Sequence, residues 1–375
     1  MNDEVEATAK CNELAPKVGI LTFHFTTNYG GVLQAFALST FLSRLGLKSE
    51  IIDYRPLAGL KKYAQVLFVS RDFMANLRKT VRFWTFLRRE MQLSPRASIS
   101  SGQLRRQAHH SNYELIFVGS DEVWKLDSFR GYDSSFFLEF AAEATVRSSF
   151  AASAGDSKTF GNRREAISQA LGKFGAISVR DEKTQATLER ECQVDSKRLL
   201  DPTLLVEFSP QVIGTAFRDV RNYFLIYGRL SRWELNIVHM MAQREGASVI
   251  SVGDRNPGVA ANFVSAGPKE WLALFKGAAA VFTIYFHGVI FGLKFIGEVY
   301  VFDRPDKREK ISQLKRDLNL STSALPELVK DEASSALTKV FYSAESLALL
   351  EIARTQATDF VRVSTSLIPQ RSEQF

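Results

Sequence analysis

Cysteine is scarce in this sequence: Cys11 and Cys192 are the only two in 375 residues, and no CxxC pair occurs. A disulfide framework and a structural zinc site therefore find little support, and such sparing use fits a reducing compartment. Proline is low too, at 10 against 29 Phe, so Pro-rich linkers and long disordered tracts are not expected. There are no short-period repeats and no low-complexity tracts. The sequence has no GxGxxG or GxxxxGK[ST] phosphate loop, no GxSxG elbow and no Cys–His nucleophile spacing. Its Asp and Glu residues do not cluster as metal ligands do. One uncharged run, Gly277 to Leu293, has His287 as its only ionisable residue and approaches the length of a membrane span. Lys276 and Lys294 bracket it and a Phe-His-Gly break falls in the middle, which fits a buried strand and a buried helix of a soluble protein. The first residues, MNDEVEATAKCNELAPK, are too polar for a secretory leader.

What is present is ordinary globular composition, 45% hydrophobic and 24% charged. At this length two domains are expected, because single cores rarely grow past ~250 residues. The net charge of +7 implies an anionic partner. The excess concentrates between Arg71 and Arg106, where Arg78, Lys79, Arg82, Arg88, Arg89, Arg96 and Arg105 face only Asp72 and Glu90. Two readings stay open for this stretch: a solvated helix face, or docking on an acidic membrane surface. No nucleic-acid module accompanies the charge.

Hydrophobic patterning predicts a strand at Lys17–Phe23, a helix at Val32–Leu45 and a strand at Ser49–Tyr54, which together make a βαβ unit and imply a parallel sheet. A helix over Asp72–Met91 carries apolar residues on one side and the arginines on the other. Pro95–Ser111 is polar and Ser-rich and reads as a loop. Strands follow at Tyr113–Val118, Ser148–Ala154 and Ala176–Val179. Alternation resumes with strands at Tyr223–Tyr227, Ser248–Val252, Ala278–Phe286 and Glu298–Phe302. The expected organisation is a tail (1–16), a first Rossmann-like domain (17–207), a linker (208–220), a second such domain (221–340) and a C-terminal helix with its tail (341–375).

The stretch AAAVFTIYFHGVIFGLKF, Ala278–Phe295, organises the second half. Its His287 and Gly288 stand where a strand gives way to a helix. Helix-start N–H groups bind anions, and glycine lets a ligand approach the backbone. The competing explanation is a core histidine. Three other strand ends carry unusual polar residues: Asn28-Tyr29-Gly30-Gly31, Asp121 and Arg180. Each has a plain local explanation as a loop, a cap or a surface ion pair. All four fall on the edge where open α/β sheets bind ligands.

The blocks TNYGGVLQAFAL (Thr27–Leu38), IIDYRP (Ile51–Pro56), VGSDEVW (Val118–Trp124), SVRDEKT (Ser178–Thr184), LDPTLL (Leu200–Leu205) and FHG (Phe286–Gly288) follow one another in order. In this the sequence resembles the polysaccharide pyruvyl transferase family, from about Lys17 to Leu320. It departs at Thr283-Ile284-Tyr285, where members usually show Thr-Asp-Ser. The resemblance implies two doubly wound α/β domains facing a cleft, as in GT-B glycosyltransferases. It also implies transfer of an enolpyruvyl unit from phosphoenolpyruvate to a sugar as a ketal, in surface polysaccharide or exopolysaccharide biosynthesis.

The family's histidine maps onto His287 and its arginine onto Arg180. Its later basic residue maps best onto Lys310, with Arg308 second. In this scheme Arg180 forks onto the donor carboxylate, and Gly288 N–H with Lys310 or Arg308 holds the phosphate. His287 is the general acid. Asp121 orients the acceptor hydroxyl, and Asn28, Tyr29 and Gln34 line the acceptor side. No cofactor or metal is required. The partners are then phosphoenolpyruvate and a sugar or lipid-linked acceptor. The place is the cytoplasm, with peripheral contact at the inner membrane face through Arg71–Arg106 as an open alternative. Two competing functions remain: a GT-B-like glycosyltransferase using a nucleotide sugar, and a catalytically silent binding protein of the same fold.

Overall fold

The computed structural model describes residues 15–69, 72–217, 219–305, 307–325 and 337–370. The 1–14 part of the expected tail, with Cys11, lies outside these residues, as does Arg71. The chain divides into two compact units. The first takes the described residues to Phe68, then Leu87–Val206 and those from Ala353 on; the second takes Val69–Phe86 and Glu207–Ile352, as far as described.

Unit 1 is built on six parallel strands: β1 (Lys17–Leu21), β2 (Lys48–Ile51), β3 (Leu115–Val118), β4 (Val146–Ala152), β5 (Ala176–Val179) and β6 (Lys197–Arg198). They lie in the order β2-β1-β3-β4-β5-β6, with Val18 of β1 opposite Leu115 of β3. Helix α1 (Tyr29–Arg44) joins β1 to β2. Later in the unit, α5 (Arg164–Leu171) and α6 (Glu182–Cys192) precede and follow β5. The winding reverses at β1. Because βαβ crossovers are right-handed, a reversal puts the helices of the two directions on opposite faces. Every residue of β3 is buried, as a sheet covered on both faces requires.

Three helices lie between β2 and β3: α2 (Leu57–Val69), α3 (Phe73–Glu90) and α4 (Ser101–Ser111). The last replaces the loop expected over Pro95–Ser111. Ser100 caps it by accepting from Gln103 N, while Leu104 and Ala108 are its only buried residues. Two apolar positions among Ser, Gln, Arg and His are too few for a visible period.

Among the described residues unit 2 has seven strands: β7 (Tyr223–Tyr227), β8 (Ser248–Val252), β9 (Ala261–Phe263), β10 (Ala280–Thr283), β11 (Glu298–Phe302), β12 (Ser321–Ala324) and β13 (Leu337–Phe341). The order is β12-β13-β11-β10-β7-β8-β9. The five strands from β9 to β11 are parallel, with Phe224 opposite Ala280, and β13 and β12 extend the sheet antiparallel. Its helices are α7 (Arg232–Arg244), α8 (Pro268–Gly277), α9 (Phe286–Ile296) and α10 (Arg308–Asp317). Here the winding reverses at β7. Both units are thus doubly wound α/β sheets with a switch point, between β1 and β3 in one and between β7 and β10 in the other.

Two segments differ from the expected organisation. Phe208–Arg221 lies inside unit 2: a helical turn at Pro210–Ile213 buries Val212 and Ile213, and the ring of Phe208 packs at a tilt on Phe291, with centroids 5.2 Å apart. Most of α3, expected with the first domain, packs in unit 2. Arg255 reaches Asp72 at 2.9 Å, and Arg82 meets Glu270 at 3.2 Å and donates to Ser265 O at 2.8 Å. The long helix α11 (Ala344–Ser366) ends on unit 1, where Ser364 Oγ lies 3.2 Å from Ser148 Oγ and Phe360 meets Phe150 edge-on.

Candidate functional site

In unit 1 the carboxyl edge of the sheet is closely hydrogen-bonded. Asn28 is the N-cap of α1, accepting from Gly30 N at 3.0 Å. Tyr29 is 2% exposed and belongs to the core. Gln34 is wholly buried. Its Nε2 donates to Thr22 Oγ1 (2.9 Å) and Gly31 O (2.8 Å), and its Oε1 accepts from Ser120 Oγ (2.6 Å). The expectation that Tyr29 and Gln34 line an acceptor surface is therefore corrected. Gln34 ties the loop after β1 to the loop after β3, and Tyr29 packs.

Asp121 stands in that second loop in the left-handed backbone region, φ 82°, which Asp tolerates better than most residues. Its carboxylate accepts from Glu122 N at 2.8 Å, and its carbonyl accepts from Ser153 N. A Cβ on Gly31 would lie 3.4 Å from Asp121 Oδ2, so the start of α1 and this carboxylate are neighbours. Arg180 follows β5, and its N–H donates to Ala152 O. Its side chain is 9% exposed and pairs with the fully buried Asp201 at 3.1 Å. Burial opposes the charge, but Asp201, Asp121 and Asp181 outweigh it and hold the guanidinium's pKa above its ordinary value. Asp181 caps α6, accepting from Thr184 N.

Beside this lies a triad that sequence reasoning passed over. His24 Nε2 is 3.0 Å from Asp53 Oδ1, and Asp53 accepts a two-pronged bond from Arg55 (2.6 and 2.7 Å). Burial raises the Asp53 pKa, yet the bonds to His24 and Arg55 bring it below the ordinary value. The residues following the strands KVGIL and KSEI were its signal.

In unit 2 the edge at the switch point is of another kind. The strand AVFT ends at Thr283, and α9 starts at Phe286 with no side-chain cap. His287 is half-buried in its first turn, edge-on to Phe286. The first N–H groups of a helix have no intrahelical acceptor, so this end attracts anions. Gly288 is required by the protein itself. A Cβ there would fall 2.1 Å from Thr283 Oγ1, which donates to Tyr227 O and accepts from Tyr285 N.

Ile284 and Tyr285 also find places. Ile284 packs where a Cβ on Gly228 would stand, 2.7 Å from Ile284 Cγ1. Tyr285 meets Tyr227 edge-on and donates to Asp254 Oδ2 at 3.3 Å. Near Asp254 lies Lys79 of α3, whose amine is pushed down to about 8 by burial, against the pull of Asp254. Lys79 was legible only as one charge in a basic run.

The two cations expected to hold phosphate sit on α10. Arg308 is exposed and held by Asp303 (2.7 Å), which raises its pKa. Lys310 is half-buried. Arg304, at the end of β11, was overlooked although it obeys the same strand-end rule as Arg180. It pairs at 2.6 Å with Glu234, which is 1% exposed. Among the described residues no three His, Cys, Asp or Glu side chains converge as metal ligands would.

The family model for polysaccharide pyruvyl transferase matches residues 28–304. That span includes Asn28, Asp121, Arg180, His287 and Gly288. The chain belongs to the polysaccharide pyruvyl transferase family. No curated protein matches its sequence. Among solved structures it is similar to UDP-GlcNAc 2-epimerase from Methanocaldococcus jannaschii, at 11% identity and TM-score 0.47 over 94% of this chain and 100% of that one. It is also similar to E. coli ADP-heptose LPS heptosyltransferase II, at 12% identity and TM-score 0.36 over 71% and 78%. Likenesses of this size do not bear on the reaction. No described helix is long and apolar enough to cross a membrane.

Proposed function

We propose that this family member transfers the three-carbon unit of phosphoenolpyruvate to sugar hydroxyls as a pyruvate ketal, in the synthesis of a surface polysaccharide. The observation that supports this reading is the start of α9. Within the family-matched stretch, a histidine and a glycine occupy the uncapped first turn of the helix that leaves the switch point of unit 2.

The reaction needs a proton donor and anion-binding groups. A first sugar hydroxyl adds its oxygen to the enol carbon while the methylene takes a proton and becomes a methyl. A second hydroxyl of the same sugar then attacks that carbon. The carbon–oxygen bond to phosphate breaks, phosphate departs, and the ketal ring closes. One hydroxyl proton is accounted for in the methyl group and the other leaves with phosphate.

His287 is assigned as the acid that protonates the methylene and assists phosphate departure, since imidazole gives and takes protons near neutral pH. The N–H of Gly288, with Lys310, is assigned to phosphate oxygens. Arg180 takes a narrower role than a free fork for the donor carboxylate. It is bound to Asp201 at 3.1 Å, with the charge of Asp121 also favouring the guanidinium, and is assigned to positioning; Asp121 is assigned to the acceptor hydroxyl. The scheme uses no metal and belongs in the cytoplasm, where phosphoenolpyruvate is made.

The test is incubation with phosphoenolpyruvate and a panel of glycans. The expected result is glycan-dependent phosphate release with a new ketal methyl resonance by NMR. Turnover of a nucleotide sugar, with no phosphate released from phosphoenolpyruvate, contradicts the proposal.

A further inference from the structure

The helix α3 leaves an apolar stripe in solvent. Met74, Leu77, Val81 and Trp84 are 57, 36, 54 and 40% exposed, and their spacing of three and four residues puts them on one face. The opposite side is anchored: Phe83, Phe86 and Leu87 are each 2% exposed, and Arg82 holds Glu270. The exposed face is therefore fixed on the protein rather than a detached peptide.

At 100° per residue, Arg88 falls between Leu77 and Val81, and Arg78 and Arg89 lie beside Met74. All three arginines are exposed. The one carboxylate in α3 is Glu90, half-buried in the last turn. An apolar stripe with one arginine within it and two along one side fits a helix lying in a bilayer interface, its aliphatic and indole groups among acyl chains and its guanidiniums reaching up to the headgroups.

We infer that this face of α3 docks on an anionic lipid bilayer. The surface is narrower than the Arg71–Arg106 stretch and is carried by Met74, Leu77, Val81 and Trp84 with Arg78, Arg88 and Arg89. A second copy of the chain fits less well, because a two-fold contact through this face sets arginine against arginine. Nucleic acid would take the arginines but leave the apolar centre without a role. The inference stands apart from the reaction, and turnover is not its readout.

The experiment is flotation of the full chain with vesicles of phosphatidylcholine alone or with one third phosphatidylglycerol. Binding is expected to the anionic vesicles, weakly to the neutral ones, and to be released by high salt. Trp84→Glu with Val81→Glu abolishes it, while Trp84→Phe retains it. Arg78→Gln with Arg88→Gln and Arg89→Gln lowers partitioning on the order of a hundredfold. Thermal unfolding of each variant checks that the fold is kept. Equal binding to both vesicles overturns the inference, as does no binding to either, or undiminished binding by the glutamate variant. A dimer seen by light scattering and dissolved by Trp84→Glu also overturns it, reassigning the face to a second copy.

Discussion

The carboxyl edges of the two sheets use polar residues differently. In unit 1, Gln34, Ser120 and Thr22 satisfy one another, His24, Asp53 and Arg55 form a closed triad, and Arg180 is bound to Asp201. In unit 2, the helix after the switch point begins with no side-chain cap, and His287 stands in its first turn. The same rule, a polar residue just after a strand, selects both sets. What separates them is burial: Gln34 and Arg180 lie in the interior while His287 is half-buried, and burial turns a candidate ligand group into part of the scaffold.

If that contrast holds, unit 1 substitutions act first on stability. Asp201→Ala strands the Arg180 charge in the interior and should cost about 3–5 kcal/mol by chemical denaturation. Adding Arg180→Met should recover part of the loss, because an apolar replacement of the whole pair removes the buried charge.

The sharpest stability effect expected in unit 2 comes from Gly288→Ala. Its new Cβ collides with Thr283 Oγ1, which links β7 to the start of α9. Overpacking of this kind costs up to about 3 kcal/mol, and the cost should shrink in a Thr283→Ala background. Gln34→Leu leaves Ser120 and Thr22 short of a bond and should cost about 2 kcal/mol. A raised KM for acceptor with unchanged stability would restore Gln34 to the binding surface.

A further effect concerns Lys79 and pH. Burial pushes its amine down to about 8 in the folded protein, against 10.5 for a solvated lysine. Below pH 8 the cost of burying the charge is present in full; between 8 and 10.5 only the unfolded chain stays protonated, so stability rises with pH. Comparing unfolding free energies of wild type and Lys79→Met across that window should show the gap closing as pH rises. A constant gap would move Lys79 out of the buried edge of unit 2.

Most of the fold was legible in the sequence because parallel, doubly covered strands read as continuous apolar runs; YFLIY and AVFT are buried at every position. The antiparallel pair β12–β13 was not. Its edge strand STSA is half-exposed or exposed throughout and has no apolar pattern to find. The allegiance of α3 was equally hidden, since the bonds that fix it join residues 183 positions apart. In the site, the position of His287 followed from the strand–helix junction around it. The roles of Gln34 and Arg180 did not, because their partners Ser120 and Asp201 lie 86 and 21 residues away. Local pattern reports where a residue emerges; only packing reports whether it is occupied.

The central claim, that the start of α9 carries the chemistry, is tested most directly by phosphate release from phosphoenolpyruvate in His287→Gln at matched folded protein. The rate is predicted to fall by about 10²–10⁴-fold with the unfolding midpoint unchanged. Retention of the wild-type rate in that variant would contradict it.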